Sequence, residues 1–220
     1  MKVRENPLMM QPEFDAIADT AGLSHPCILQ RKQPTKREIR DLRRAKSAKE
    51  ALAGLNREIE IEGFTKGQFS FVDLIRAALE ITGPAHLDIS TWTAASADMK
   101  QISDLMKSYK VESTRWLVDF SFQRRHPAVL NELRTRFGDR CIRVSRNHSK
   151  FACIVNEKWK LCILTSMNLN MNPRFEDFII SHAPDRVAFR NEILSELFSK
   201  QKDVSHEQTA AGHKRDFAAI

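Results

Sequence analysis

The sequence predicts an α/β fold, a β-sheet covered by helices on both faces. Three observations carry that reading. Short apolar or alternating runs take turns with amphipathic stretches of helical period from residue 71 to residue 200. Helix-stop and turn signals fall between them, such as Gly83-Pro84 and Gly138. Phe151 to Val155 and Trp159 to Leu164 are apolar strands, and the alternation of strands with helices implies a sheet covered on both faces.

Taken in order, residues 71–82 read as a helix ending at Gly83, and 86–92 alternate as a strand. Residues 96–109 place Met99, Ile102, Leu105, Met106 and Tyr109 on one helical face. A strand at 115–122 is followed by a helix at 127–137, with Pro127 in its first turn and Gly138 just past its end. A short strand at 141–144 precedes a hairpin of 151–155 and 159–164, joined through Asn156-Glu157-Lys158. A last strand at 176–181 and an amphipathic helix at 185–200 complete the unit. Residues 1–30 lack a period and read as an irregular arm, and the polar stretch 201–220 reads as a disordered tail.

The chain has 35 Lys+Arg against 28 Asp+Glu, a formal charge of +7 over 220 residues. Residues 31–49 hold Arg31, Lys32, Lys36, Arg37, Arg40, Arg43, Arg44, Lys46 and Lys49 against only Glu38 and Asp41. Thr35-Lys36-Arg37-Glu38 fits a capping box, and Ile39, Leu42, Ala45, Ala48, Leu52 and Leu55 recur at helical spacing. Residues 31–65 are therefore expected to form a basic helical extension that ends in a loop with Gly63 and Gly67. Such a helix can neutralise phosphates without reading sequence; it can equally be a solvated face packed on the domain or on a second subunit. A second stretch, Arg115 to Lys150, adds Arg124, Arg125 and Arg146, whose planar guanidinium groups suit phosphate oxygens.

No apolar run approaches the roughly 20 residues a membrane span needs, and no stretch near residue 1 suits a secretory signal. Cys27, Cys141, Cys153 and Cys162 lack CxxC or Cys/His spacing, which argues against a zinc site or a disulfide framework. The expected setting is the cytoplasm, with no membrane contact and no cofactor.

The chemistry concentrates in Asn147-His148-Ser149-Lys150 and in the run from Thr165 to Glu176, TSMNLNMNPRFE. On a strand, the two-residue spacing of His148 and Lys150 turns both side chains to one face. The following hairpin is long enough to return Ser166 and Asn168 beside them, with Glu176 arriving on the next strand. An imidazole can attack phosphorus and form a covalent intermediate. Lys150 and Asn168 can stabilise oxygens on which charge gathers. Glu176 can hold the Nδ1–H of His148 and leave Nε2 free. The plainer alternative is a hydrogen-bonded structural histidine with Ser166 and Asn168 building a turn. His126 sits at a strand-to-helix junction where it could touch phosphate. His25, His86, His182, His206 and His213 have no partners apparent in the sequence, and Trp92, Trp116 and Trp159 read as core or interface residues.

With HxK joined to S-x-N and N-x-R-x-E, the sequence resembles the phospholipase D superfamily over about residues 66–200. The resemblance implies a phospholipase D-like half, a mixed β-sheet flanked by helices, behind the basic helical N-terminal extension. It also implies a site built from two HxK motifs; this chain has one, so a homodimer is expected. The implied activity is metal-independent phosphodiester cleavage through a phosphohistidine, with catalytic residues His148, Lys150, Ser166, Asn168 and Glu176. The basic stretches point to a nuclease, DNA favoured over RNA, with Arg37, Arg40, Arg43, Arg44, Arg124, Arg125 and Arg146 as nucleic-acid contacts. The family's Asp five residues after the Lys is Val155 here, its Gly before the Ser is Thr165, and the spacer between Lys150 and Ser166 is longer. Those departures support the alternative of a catalytically weak or inactive phospholipase D-like nucleic-acid-binding or assembly protein.

Overall fold

A computed structural model describes residues 36–40, 45–108, 110–171 and 173–201. The expected arm at 1–30, Arg43, Arg44 and all of the expected tail beyond residue 201 lie outside the described residues.

Eight strands form one mixed sheet in the order β1-β2-β8-β7-β6-β3-β4-β5. They are β1 (Lys36–Arg40), β2 (Ile59–Thr65), β3 (Ala85–Thr91), β4 (Val111–Asp119), β5 (Ile142–Ser145), β6 (Phe151–Val155), β7 (Lys160–Thr165) and β8 (Glu176–His182). Pairing is parallel at β1·β2, β3·β4 and β4·β5, and antiparallel elsewhere. The helices are α1 (Ala48–Ala51), α2 (Phe71–Thr82), α3 (Ser96–Lys107), α4 (Ser121–Arg125), α5 (Pro127–Phe137) and α6 (Pro184–Lys200).

The period-two rule divides the sheet residues cleanly. Leu87 and Ile89, Trp116 and Val118, Ala152 and Ile154, Leu161 and Ile163, and Phe178 and Ile180 face α1, α2, α3 and α5 in the main core. Leu117, Phe151, Cys153 and Cys162 face the other way and pack on Val187, Leu194 and Leu197 of α6. The α/β expectation with both faces covered therefore holds, with α6 the described helix on the second face.

Local chemistry sets the helix ends. Ser70 and Asp73 cap α2 reciprocally, with Asp73 Oδ2 accepting the Ser70 N–H at 2.9 Å and Ser70 Oγ accepting the Asp73 N–H at 3.3 Å. Gly83 at φ 77° and Gly138 at φ 83° end α2 and α5 in backbone conformations that a side chain disfavours.

The N-terminal segment differs from expectation. Lys36–Arg40 is a strand, not the start of a basic helix, and its register pairs Arg37 with Glu60 and Arg40 with Gly63. Among the described residues of the expected helix, the single turn of α1 is helical, and β2 occupies what reads as loop around Gly63. The physical reason lies in tertiary pairing: β8 offers β2 a full antiparallel partner from Glu60↔Ser181 to Thr65↔Glu176. Glu60, fully buried, meets Arg186 of α6 at 2.6 Å and the Ser181 hydroxyl at 3.0 Å. The segment counted as an extension thus joins the sheet and, through Ala48, Ala51, Leu52, Leu55 and Ile61, the main core.

Candidate active site

The topology brings five chain segments to one end of the sheet. β3 and β4 run parallel and finish there at Thr91 and Asp119; β6 and β8 run opposite and begin there at Phe151 and Glu176; β7 ends there at Thr165. His148 and Lys150 therefore arrive just before β6, Ser166 and Asn168 just after β7, and Glu176 on the first residue of β8.

His148 and Lys150 lie on the extended lead into β6 rather than within a strand. The lead is still pinned to the sheet, because the Lys150 carbonyl accepts the Thr165 N–H at 3.2 Å. Lys150 Nζ sits 3.0 Å from His148 Nδ1, 3.3 Å from its Nε2 and 2.8 Å from its carbonyl oxygen. Partial burial lowers the pKa of the Lys150 ammonium, and the Glu176 charge opposes that shift. Glu176 Oε2 accepts the Ser166 hydroxyl, and His148 Nδ1 faces Lys150. The Ser166 Oγ also accepts the Asp177 N–H at 3.0 Å, so the exposed serine is held on two sides.

Asn168 is fixed through its carbonyl oxygen, which accepts the Trp92 N–H at 3.2 Å. Its neighbour Leu169 forms an isolated parallel bridge to Ala94, with a 2.6 Å bond from the Ala95 N–H to the Leu169 carbonyl. All five expected catalytic residues thus share one end of the sheet, and Ser166, Lys150 and His148 have their polar groups accessible there.

Beneath His148 lies a residue that sequence reasoning quoted only as motif context. Asn147 is 6% exposed. Its Nδ2 donates toward Ser90 Oγ at 2.9 Å, the Leu117 carbonyl at 3.2 Å and the Thr91 carbonyl at 3.3 Å. Its Oδ1 accepts from the Ser149 N–H at 3.0 Å and the Ser149 hydroxyl at 2.5 Å. Its own N–H donates to Asp119 Oδ2 at 3.0 Å, and Asp119 Oδ1 accepts the Ser121 N–H at 2.9 Å. Asp119 is itself buried. This amide and carboxylate tie the HxK segment to β3 and β4; a lone Asn and Asp 28 residues apart carry no pattern that would reveal it.

Trp92 stands one residue past the strand on which the sequence places it. It falls just beyond β3, half-buried, with its ring centroid 5.6 Å from that of His148. The Arg125 guanidinium lies 3.8 Å over the indole centroid. Of the expected nucleic-acid contacts, Arg124 and Arg125 are exposed on α4, beside the site, and Arg146 directly precedes Asn147 with its guanidinium 5.7 Å from the Phe120 ring. Arg37 and Arg40 lie on the edge strand β1, four strands from β6. Trp116 is fully buried and Trp159 lies in the turn between β6 and β7 rather than on a strand. His86 does have partners: Ser113 Oγ at 2.5 Å and Asp88 at 2.7 Å.

Among the described residues no group of three or more His, Cys, Asp or Glu side chains is placed to hold a metal ion. No helix among them is long and apolar enough to cross a membrane.

The fold and site define an α/β protein with a mixed sheet and an HxK–SxN end. No protein-family model matches this chain, and no curated protein sequence matches it. Solved structures with a similar course include Nuc of Salmonella typhimurium, described as a phospholipase D family member, at 13% identity and TM-score 0.47, covering 66% of this chain and 96% of that one. NucT from Helicobacter pylori is similar at 10% identity and TM-score 0.46, over 64% of this chain and 96% of its own. Polyphosphate kinase from Porphyromonas gingivalis is similar at 15% identity and TM-score 0.49, over 77% of this chain but 29% of the kinase.

Proposed function

We propose that this chain is a metal-independent phosphodiesterase that cleaves nucleic acid, DNA before RNA, through a phosphohistidine formed on His148. The observation that carries the proposal is the contact of Lys150 Nζ with the His148 imidazole at the sheet end where Ser166, Asn168 and Glu176 also converge. An ammonium there can move from the ring to a phosphate oxygen when substrate arrives, which frees the imidazole at the moment its target is bound.

The chemistry then balances in two steps. A ring nitrogen of His148 attacks phosphorus, the bridging P–O bond breaks, and the departing oxygen takes a proton from the His148 imidazolium of a second copy. That second imidazole next removes a proton from water, whose oxygen attacks phosphorus and expels His148. One HxK per chain makes the second copy a requirement, and an isologous dimer supplies it. Lys150 and Asn168 of both copies hold the non-bridging oxygens. Glu176 acts on Ser166, fixing the hydroxyl that borders the phosphate.

The test is cleavage of labelled single- and double-stranded DNA and RNA in excess EDTA, with His148→Ala alongside. Cleavage by wild type only is expected, with the variant retaining the oligomeric state of the wild type. Cleavage by both proteins removes His148 as the nucleophile; cleavage by neither, with mobility shifts retained, replaces this reading with that of a nucleic-acid-binding protein without turnover.

A further inference from the structure

We infer that Trp92 and Arg125 form a stacking platform for a nucleobase beside the scissile phosphate, which makes the preferred substrate of this site single-stranded nucleic acid. The inference rests on the nuclease reading above and specifies its substrate.

Trp92 is built unlike a core tryptophan. The core residue Trp116 is fully buried and its indole N–H donates to Thr114 Oγ1 at 3.1 Å. Trp92 is half-buried, and among the described residues its indole N–H has no acceptor, while its backbone N–H holds Asn168. The main chain of Trp92 is thus tied to the S-x-N segment, while its half-buried side chain keeps an unpaired indole N–H.

Arg125 completes the platform. Its guanidinium carbon lies 3.8 Å from the indole centroid, a close cation–π contact. Ser121 Oγ accepts from its Nη2 at 2.5 Å and Asp119 lies 3.9 Å away, so the group is held by the same carboxylate that anchors Asn147. The Arg125 side chain remains 38% exposed, leaving an outer face for a further planar group. Bases stack on aromatic rings and on guanidinium planes alike, tolerant of sequence because every base has a π-face.

Position supplies the rest of the argument. With the indole centroid 5.6 Å from that of His148, a phosphate at the imidazole has its own nucleotide's base within reach of the platform. A base paired within a duplex is already stacked above and below and cannot turn onto a protein ring without being extruded. A single strand presents its bases freely, and the arginine charge assists its backbone as well.

The experiment measures binding with His148→Ala throughout, so that no substrate is consumed. Fluorescence anisotropy compares a labelled single-stranded oligothymidylate, the same length of abasic strand, and a duplex. The parent is expected to prefer the base-bearing strand to both others. Adding Trp92→Leu is expected to weaken oligothymidylate binding about tenfold while leaving the abasic strand unaffected. Adding Arg125→Lys, which keeps the charge but not the plane, is expected to erode the same preference; being on the surface, it tests the platform even if Trp92→Leu fails to fold. Adding Trp92→Phe should restore part of the effect. Equal losses on base-bearing and abasic strands, or no preference in the parent, overturn the platform while leaving the nuclease reading intact. A parent that binds none of the three removes both.

Discussion

Replacing Asn147 by alanine tests whether the HxK segment is rigid because of a buried amide. Asn147 is 6% exposed, and its side chain supplies the two N–H donors shared among Ser90 Oγ and the Thr91 and Leu117 carbonyls. At roughly 1 kcal/mol net per buried hydrogen bond, the two donors contribute about 2 kcal/mol. The space left by the amide adds about 1 kcal/mol more through lost packing. The Ser149 N–H, released from Asn147 Oδ1, lies on an exposed residue and can take water instead, so it adds little. A total near 3 kcal/mol corresponds to a fall of about 1 M in the urea midpoint for a slope of roughly 3 kcal/mol per M. Equilibrium unfolding followed by tryptophan fluorescence reads this directly. Asn147→Asp makes the reasoning sharper. It keeps the shape but turns an acceptor-only group toward two carbonyl oxygens, so it should destabilise at neutral pH by a similar amount. Its carboxyl pKa is then raised by folding, and the deficit should shrink as pH falls and the protonated form donates again. An Asn147→Ala midpoint within about 0.2 M of wild type, or an Asn147→Asp deficit that grows on acidification, refutes the account.

Two further predictions concern the face covered by α6. Asp88, 3% exposed at its side chain, meets Arg115 through two 2.7 Å contacts and His86 Nε2 at 2.7 Å. Burial by itself would raise its pKa, but the hydrogen bonds and charges of Arg115 and His86 outweigh it, and the net shift is downward. A lowered folded value contributes stability that is present above the unfolded carboxylate value and lost as pH falls through the folded one. Arg115→Met should therefore cost about 3 kcal/mol at pH 7 by stranding the carboxylate, with the gap to wild type narrowing in acid; a pH-independent gap in urea midpoints contradicts this. Cys153 and Cys162 oppose each other across β6 and β7, both buried, and the Cys153 thiol is held well above its ordinary range by the hydrogen bond with Cys162 and by burial. Iodoacetamide at pH 8 should leave both unmodified in the native protein and alkylate both in urea, as read by peptide mass mapping. Native-state alkylation of Cys153 goes against that environment.

What could be read from the chain follows from where its information is local. The strands and helices from residue 71 onward carry their own period and stop signals, and their observed bounds depart from the expected ones by only a few residues. The convergence of HxK with S-x-N was legible because a hairpin of two adjacent strands must return to the end where it started. The segment 31–65 was not, because its pairing depends on β8, more than a hundred residues away. The alternation Ile59-Glu60-Ile61-Glu62 was there to be seen, but a fully buried Glu60 makes sense only once Arg186 and Ser181 are known to face it. Trp92 reads as an ordinary end-of-strand residue until the chain is folded and Arg125, thirty-three positions on, lies across it.

The absence of an aspartate at position 155 argues less against an ordered site than the sequence alone suggests. Val155 is the last residue of β6, whose first residue follows Lys150, so five residues of strand, about 17 Å, separate it from the HxK end. Across from it stands His86, and across from Cys153 on the same face stands Asp88. The buried carboxylate of this region is therefore contributed by β3, where Arg115 and His86 already satisfy it. Arg115 in turn reaches Asn191 at 2.5 Å and Ser195 at 3.2 Å, which fastens α6 over the strands that lead into the site. At the HxK end itself, order comes from Asn147 and Asp119. Rigidity of the HxK segment thus follows from groups on β3, β4 and the lead into β6, and a valine at the far end of β6 leaves that arrangement undisturbed.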